Sequence, residues 1–323
     1  MQTGKNERSI MNTKLLMILG AMFFCFAVSE SRPDLLVHEP FSYALANQAT
    51  MGGVSATGTG LTGSYGIIRT SSGDIQYLTT GLTFSPTFFS TSGGSARLIA
   101  APGQYAGIGA QFNTGSVTGN VYHSFLLSAF EVGGTGENSG VHTRIGNTAT
   151  SSTGNRLALA PESKTSGAGP GIGYDGTEGT VQAAGGAVTT NLTYLMLAKF
   201  TNVGTALSAG SPGVATFWAL TESGYDDWRN LGGGLEANLA TYAAYTATDT
   251  QTSGTFAFDN SDFLQLGVTT TGTGGGRTDM YMDEIRYGTT LDSVAIPEPS
   301  TLVLLAIGAL LTGMRRFRNR YFA

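Results

Sequence analysis

Residues 191–200 read NLTYLMLAKF. Successive side chains of a strand point to opposite faces, and this run is apolar on both parities until Lys199. That is the pattern of a central strand covered on both sides. Outward from it lie further short runs rich in Thr, Val, Tyr and Phe: QYLTTGLTF (76–84), VYHSFLLSAF (121–130), GVATFWAL (213–220), GTFAFDN (254–260) and FLQLGVTT (263–270). Gly, Ser and Asn clusters separate them. Short strand-like runs bounded by turn residues predict an all-β sandwich. In 254–260 the alternation places Phe256 and Phe258 on one face and Thr255, Ala257 and Asp259 on the other. No segment between the two ends of the chain shows amphipathic helix periodicity, and no repeat of fixed period is present. The Gly/Ser/Ala/Thr-rich stretch 161–190 predicts a long loop or a weak hairpin.

The two ends differ from this body. From Met11 the chain reads MNTKLLMILGAMFFCFAVSES: Lys14, an apolar run from Leu15 to Val28, then small residues that offer cleavage after Ser29 or Ser31. A basic start, an apolar stretch of about 7–15 residues and small residues make a secretory signal peptide. Residues 1–10 are polar and untypical of one, which allows a start at Met11. Arg32-Pro33-Asp34 ends the apolar helix at once. Cys25 follows Met-Phe-Phe, not the small residues a lipoprotein signal needs. At the other end, IPEPSTLVLLAIGALLTGMRRFRNR (296–320) holds no charge from Thr301 to Met314, then four Arg: Arg315, Arg316, Arg318 and Arg320. Fourteen helical residues reach about 21 Å at ~1.5 Å each. Snorkelling Arg stems extend that toward a bilayer core of roughly 30 Å. Arginine beyond an apolar span predicts that the tail stops in the cytoplasm. The expected organisation is a signal peptide over 1–31, a β-sandwich body over 32–295, and a sorting and transmembrane segment over 296–323.

Composition narrows the function classes. The one cysteine lies in the signal, so the mature chain has no internal disulfide and relies on its core. Glycine, at 47 residues, is about twice its usual share of roughly 7%, and charged residues, at 12%, are about half the usual quarter. Between Arg32 and Pro297, ten Lys and Arg face nineteen Asp and Glu, a net charge of −9. That balance argues against nucleic acid, which selects basic surfaces.

Pro297-Glu298-Pro299-Ser300-Thr301, the apolar run and the Arg-rich end, in that order, resemble a PEP-CTERM sorting signal. The resemblance covers about the last 27 residues. It implies an exported substrate of an exosortase-type processing enzyme, in a bacterium that makes extracellular polysaccharide. Pro297, Glu298 and Pro299 would be read by that enzyme while the apolar helix holds the chain in the inner membrane. The body also resembles a concanavalin A-like, LamG-type jelly roll. HEPFSYALANQATMGG (38–53), YLMLAKFTNVG (194–204), VATFWAL (214–220) and MYMDEIRYGTTLDSV (280–294) carry that likeness.

Catalytic signatures are missing from the sequence. His38, His123 and His142 are far apart and form neither an HExxH helix nor a close ligand spacing. There is no GxSxG elbow and no mature thiol. The string GAGPGIGYDG (167–176) lacks the strand-then-helix frame of a phosphate loop. A jelly-roll glucanase needs carboxylates about 5–10 Å apart, and the alternating Glu-x-Asp-x-x-Glu run of related glucanases is absent. Asp283 shares parity with Tyr281, Ile285 and Tyr287, so either it is hydrogen-bonded inside or a bulge changes the parity. Two binding features remain. TESGYDDWRN (221–230) sets Tyr225 and Trp228 beside Asp226 and Asp227 in an expected loop, where rings stack on sugars and carboxylates hold hydroxyls or Ca²⁺. The alternative is a Trp folded onto the sandwich. FDNSDF (258–263) clusters oxygens but lacks the Gly and Glu of a calcium loop, so a turn is expected.

The chain is therefore expected to be an exported, membrane-tethered, non-catalytic protein of the cell surface or matrix that binds polysaccharide. No required cofactor is expected, and Ca²⁺ is left open. A glycan-cleaving enzyme of the same fold and a purely structural matrix protein are the alternatives.

Overall fold

The computed structural model describes residues 34–85, 89, 91, 93–131, 139–146, 155–163, 169–174, 182–183, 188–270 and 277–295. The expected signal peptide (1–31) and the segment 296–323 lie outside the described residues. The strands, numbered in chain order, form two sheets. The larger runs β14 (Tyr245–Gln251), β13 (Gly213–Thr221), β12 (Thr193–Val203), β7 (Gly119–Glu131), β16 (Thr278–Gly288), β5 (Ser95–Ala100), β4 (Asp74–Leu78) and β2 (Ala49–Thr50), with β1 (Leu35–Glu39) also on β16. The smaller runs β11 (Gln182–Ala183), β10 (Gly169–Tyr174), β9 (Asn155–Ser163), β8 (Ser139–Gly146), β15 (Phe263–Thr269), β6 (Tyr105–Phe112) and β3 (Leu61–Ser71).

All these strand pairings are antiparallel. The chain crosses between sheets from β2 to β3, β3 to β4, β5 to β6, β6 to β7, β7 to β8, β11 to β12, β14 to β15 and β15 to β16. This is an antiparallel β-sandwich of two sheets, the all-β architecture expected.

Met196, Ala198 and Phe200 of β12 face the core between the sheets, while Leu195 and Leu197 face a second core on the other side of the same sheet. The double apolarity of 194–198 is thus used on both faces. Over the outer face of the nine-stranded sheet lie helices α1 (Glu222–Asn230), α2 (Leu239–Tyr242) and α3 (Leu291–Ala295), together with Phe84 and Phe89. The helix α1 departs from the expected loop. Thr221 caps it by accepting from the Gly224 N–H at 3.1 Å, Glu222 sits in its first turn, and Tyr225 and Trp228, three residues apart, share its buried side. The run 254–260 also departs from expectation. Phe256 and Phe258 do share the main core, but the segment is extended chain touching Ala206 through a single bridge at Thr255. Within 161–190, β9, β10 and β11 pair as antiparallel neighbours, the hairpin reading of that stretch.

β16 divides its outer edge between two partners. Thr278–Met282 pairs with β5 and Ile285–Gly288 with β1. At the switch, three steps from Asp283 to Arg286 oppose two from Leu126 to Ser124 of β7, so one residue is extra. Glu284 takes a φ of 52° there. Both sequence alternatives for Asp283 hold: the strand bulges, and the carboxylate is hydrogen-bonded inside. Close to this junction β1 passes tightly over Gly60, whose φ is 73°; a Cβ there would stand 2.0 Å from the Leu36 carbonyl oxygen. No other residue type fits that approach.

One polar chain crosses the main core. The His123 ring stacks on Tyr287 at 4.0 Å, donates from Nδ1 to the Arg286 carbonyl at 3.0 Å, and accepts at Nε2 from Thr143 on the opposite sheet at 2.6 Å. Burial holds its pKa down, at about 3. A histidine kept neutral in the fold but free to charge when unfolded, at about pH 6.5, costs stability as pH falls below 6.5. The loss continues to about pH 3. Urea denaturation of the wild type and of His123→Gln should show the wild type losing about 2 kcal/mol more than the variant between pH 7 and pH 5. Equal losses would place the ring in a hydrated site. Leu197→Ala should destabilise by about 2–5 kcal/mol, since it opens the second core; a value near zero in the same assay would mean that this core is not close-packed.

Candidate functional site

Tyr225 and Trp228 are both fully buried; of the two readings of 221–230, the Trp folded onto the sandwich holds, and Tyr225 and Trp228 form no exposed stacking platform. Their spacing aims them inward from a helix, not outward from a loop. Tyr225 packs edge-on against Phe84 and Phe89, with ring centroids 5.5 and 6.1 Å away. Trp228 Nε1 donates to the Leu235 carbonyl at 2.9 Å. Asp226 accepts a short hydrogen bond from the Ser85 hydroxyl, and Asp227 stays exposed. Among the described residues no group of three His, Cys, Asp or Glu side chains is placed to hold a metal. In 258–263, Asp259 accepts from the Ser261 N–H and hydroxyl at 2.7 and 2.6 Å, and Asn260 from the Thr114 and Gly115 N–H groups. Those oxygens build a turn.

The adjacent carboxylates Asp283 and Glu284 are both fully buried. Asp283 accepts from the Leu82 and Glu284 N–H groups at 2.8 and 2.7 Å. Burial, then the charge of Glu284, pushes its pKa up to about 8. Glu284 pairs with His38 at 2.7 Å and Arg286 at 2.6 Å. Glu39, also buried, accepts from the Phe41 N–H and the Tyr43 and Tyr65 hydroxyls at 2.7, 2.7 and 2.9 Å. Burial raises its pKa, against those three donors. Each of these carboxylates is spent on holding β1, β16 and their loops together, and none opens to a substrate.

The open chemistry lies elsewhere on the outer face of the nine-stranded sheet, beyond the helices. Gln76 opposes Arg97, Arg97 opposes Tyr281, Tyr281 opposes Ser128, and Ser128 opposes Thr193. Their chain neighbours line the main core, so all five point outward. Four inter-strand steps at ~4.8 Å make a row about 19 Å long. Phe130, 53% exposed, stands beside it at a register shift in β7 and stacks on Tyr281 with centroids 6.5 Å apart. Arg97 is held as a fork on the buried Asp279, at 2.8 and 2.6 Å, and Arg277 joins the same carboxylate at 2.9 Å. The hydrogen bonds to Asp279 raise the pKa of Arg97 and fix its plane. An exposed Phe130 ring stacked on the half-buried Tyr281, beside a fixed guanidinium, an amide and two hydroxyls, can stack on sugar faces and bond their hydroxyls. No linear motif announces this row.

The sorting segment is rooted in the body. In α3, Leu291, Val294 and Ala295 are buried. The Val294 carbonyl accepts from the Ser124 hydroxyl at 2.7 Å and the Ala295 carbonyl from the Tyr225 hydroxyl at 2.8 Å. Residues 295–318 match the PEP-CTERM protein-sorting motif. The chain carries a PEP-CTERM sorting signal. The motif takes in Pro297, Glu298, Pro299, Arg315, Arg316 and Arg318, and it implies export, processing by an exosortase and C-terminal membrane anchoring before that processing. Among the described residues no helix is long and apolar enough to cross a membrane; the expected span lies beyond them.

A search of curated proteins returned no match. Among solved structures the chain is similar to a cellulose-induced protein, Cip1 (10% identity, TM-score 0.34, covering 68% of this chain and 87% of that one). It is also similar to a carbohydrate esterase, vb_24B_21, from the Shiga toxin-encoding bacteriophage phi24B (11%, 0.37, 69% and 89%). A third is the Ca²⁺-bound exoplasmic/lumenal domain of VIP36 (7%, 0.35, 68% and 84%). At such scores these likenesses carry no argument about ligand or activity.

Proposed function

We propose that this is a non-catalytic protein of the cell surface or extracellular matrix, held in the inner membrane by its C-terminal segment until processing, and binding polysaccharide through the outer face of its larger sheet. The body over 32–295 would then be the binding unit, and 1–31 and 296–323 its export and sorting signals. The carrying observation is the exposed Phe130 ring stacked on Tyr281, which is in register with Arg97, Gln76, Ser128 and Thr193. A ring stacked on a sugar contributes about 1 kcal/mol beyond its buried area. One shallow row of this kind binds near millimolar, or about −4 kcal/mol. Useful retention comes from many copies on one polymer. Ca²⁺ would be an accessory, not a requirement, because the row offers donors and rings.

Electrophoresis of the protein through gels cast with β-glucan, mannan or xylan should show retardation in at least one. Phe130→Ala should abolish most of it while circular dichroism stays unchanged. Release of reducing sugar would instead favour a glycan-cleaving enzyme, and unretarded migration in every gel, with or without Ca²⁺, a purely structural protein. For sorting, Glu298→Ala should leave export intact and stop removal of the C-terminal segment, read as the mass of the membrane-bound chain. Normal maturation of that variant would show that Glu298 is not what the processing enzyme reads.

A further inference from the structure

The root at Ala295 fixes where the tail leaves the body, and the tail is short before it becomes apolar. Ile296 to Ser300 are five residues, which span at most about 17 Å when extended. While the run from Thr301 is inserted, the outer face of the nine-stranded sheet therefore stays close to the bilayer.

That face carries three of the four large exposed hydrophobic side chains among the described residues. They are Phe130 on β7 and Leu231 and Leu235 behind α1, 53%, 73% and 61% exposed; the fourth, Ile67, belongs to the smaller sheet. Leu231 follows Tyr225 by six helical positions, about 9 Å along the axis, and Tyr225 is the residue that grips the Ala295 carbonyl. The two leucines bracket Gly232-Gly233-Gly234 in a loop that is tied down. Gly234 N–H donates to the Trp228 carbonyl at 3.0 Å, Trp228 Nε1 to the Leu235 carbonyl, and Asn238 Nδ2 to the Gly232 carbonyl at 2.8 Å. Gly233 and Gly234 both have φ near 65°, a turn that pushes the flanking leucines outward. The fold thus holds two leucines in water beside its own membrane anchor.

We propose that in the anchored protein the Leu231–Leu235 loop lies in the interfacial layer of the bilayer that holds the tail. This rests on the reading of 301–314 as a membrane span. The neighbouring charges, exposed Glu222 and Asp227 with Asp226 and Arg229 on α1, and Glu236 beside Leu235 paired with Lys199 at 2.7 Å, favour zwitterionic over anionic headgroups. Because α1 rides on the sheet, the cross-strand row is set back by about one helix diameter, ~10 Å. It stays open to a polymer from the side.

The chain from Arg32 to Ala323, the form left once the expected signal peptide with Cys25 is removed, would carry one cysteine at Leu231→Cys, Leu235→Cys or, as control, Gln111→Cys on the smaller sheet. Each is labelled with an environment-sensitive dye and reconstituted in phosphatidylcholine vesicles containing nitroxide lipid. Quenching at 231 and 235 should exceed that at 111 at least threefold. In the chain without a dye, amide exchange over 231–235 should slow severalfold when detergent is replaced by vesicles, and Leu231→Asp/Leu235→Asp should remove that slowing. Equal quenching at all three positions in chains that float with the vesicles would overturn the loop contact alone. Chains that fail to float would overturn the membrane span itself, and the loop contact with it.

Discussion

The nine-stranded sheet is apolar on both faces at its centre, and everything else in the molecule answers to that. A sheet that faces one core can leave its other side to water. Here β7 sends Phe125 and Leu127 one way and Tyr122 and Leu126 the other, and β12 does the same with its own alternation. The outer set must be covered. α1, α3, Phe84 and Phe89 do so, with Tyr225 and Trp228 as the largest buried groups. The start of the sorting segment is part of that cover. A segment that is addressed to another enzyme thus begins as a piece of a hydrophobic core.

The central strands were legible because one residue in two is enough to reveal a face, and β12 reveals two in ten residues. Phe256 and Phe258 were legible as a face for the same reason, although no ladder forms there: an extended chain alternates whether or not a neighbour pairs with it. α1 was not legible as a helix. Its nine residues hold only two large apolar groups, and three acidic residues among them read as a solvated loop; the Thr221 cap and the Tyr225–Trp228 spacing were the available signals. The cross-strand row could not be read at all. It takes one residue from each of five strands, from Gln76 to Tyr281, and no window of sequence contains it.

The polar groups inside the sandwich are concentrated where β1 meets β16. Glu39, Asp283, Glu284 and Arg286 are all buried within a few residues of the junction. Ion pairs in such places contribute little net stability, because desolvation offsets their attraction, but losing one partner strands the other. Their effect is to make one pairing of β1 acceptable and its slipped neighbours unacceptable. A strand of five residues, Leu35–Glu39, has little else to set its register.

The extra residue at Asp283–Glu284 works like a shift of reading frame. Before it, the even-numbered side chains Met280 and Met282 belong to the main core; after it, the odd-numbered Ile285 and Tyr287 do. Arg286 is thereby turned to the outer side, its guanidinium 4.9 Å from the Phe89 ring. Deleting a single residue here would leave every later side chain chemically intact and facing the wrong way. Arg286 would enter the core, Tyr287 would leave its stack on His123, and the contact between the two sheets through Thr143 would go with it. The end of β16 is written in a second frame, and one residue sets it.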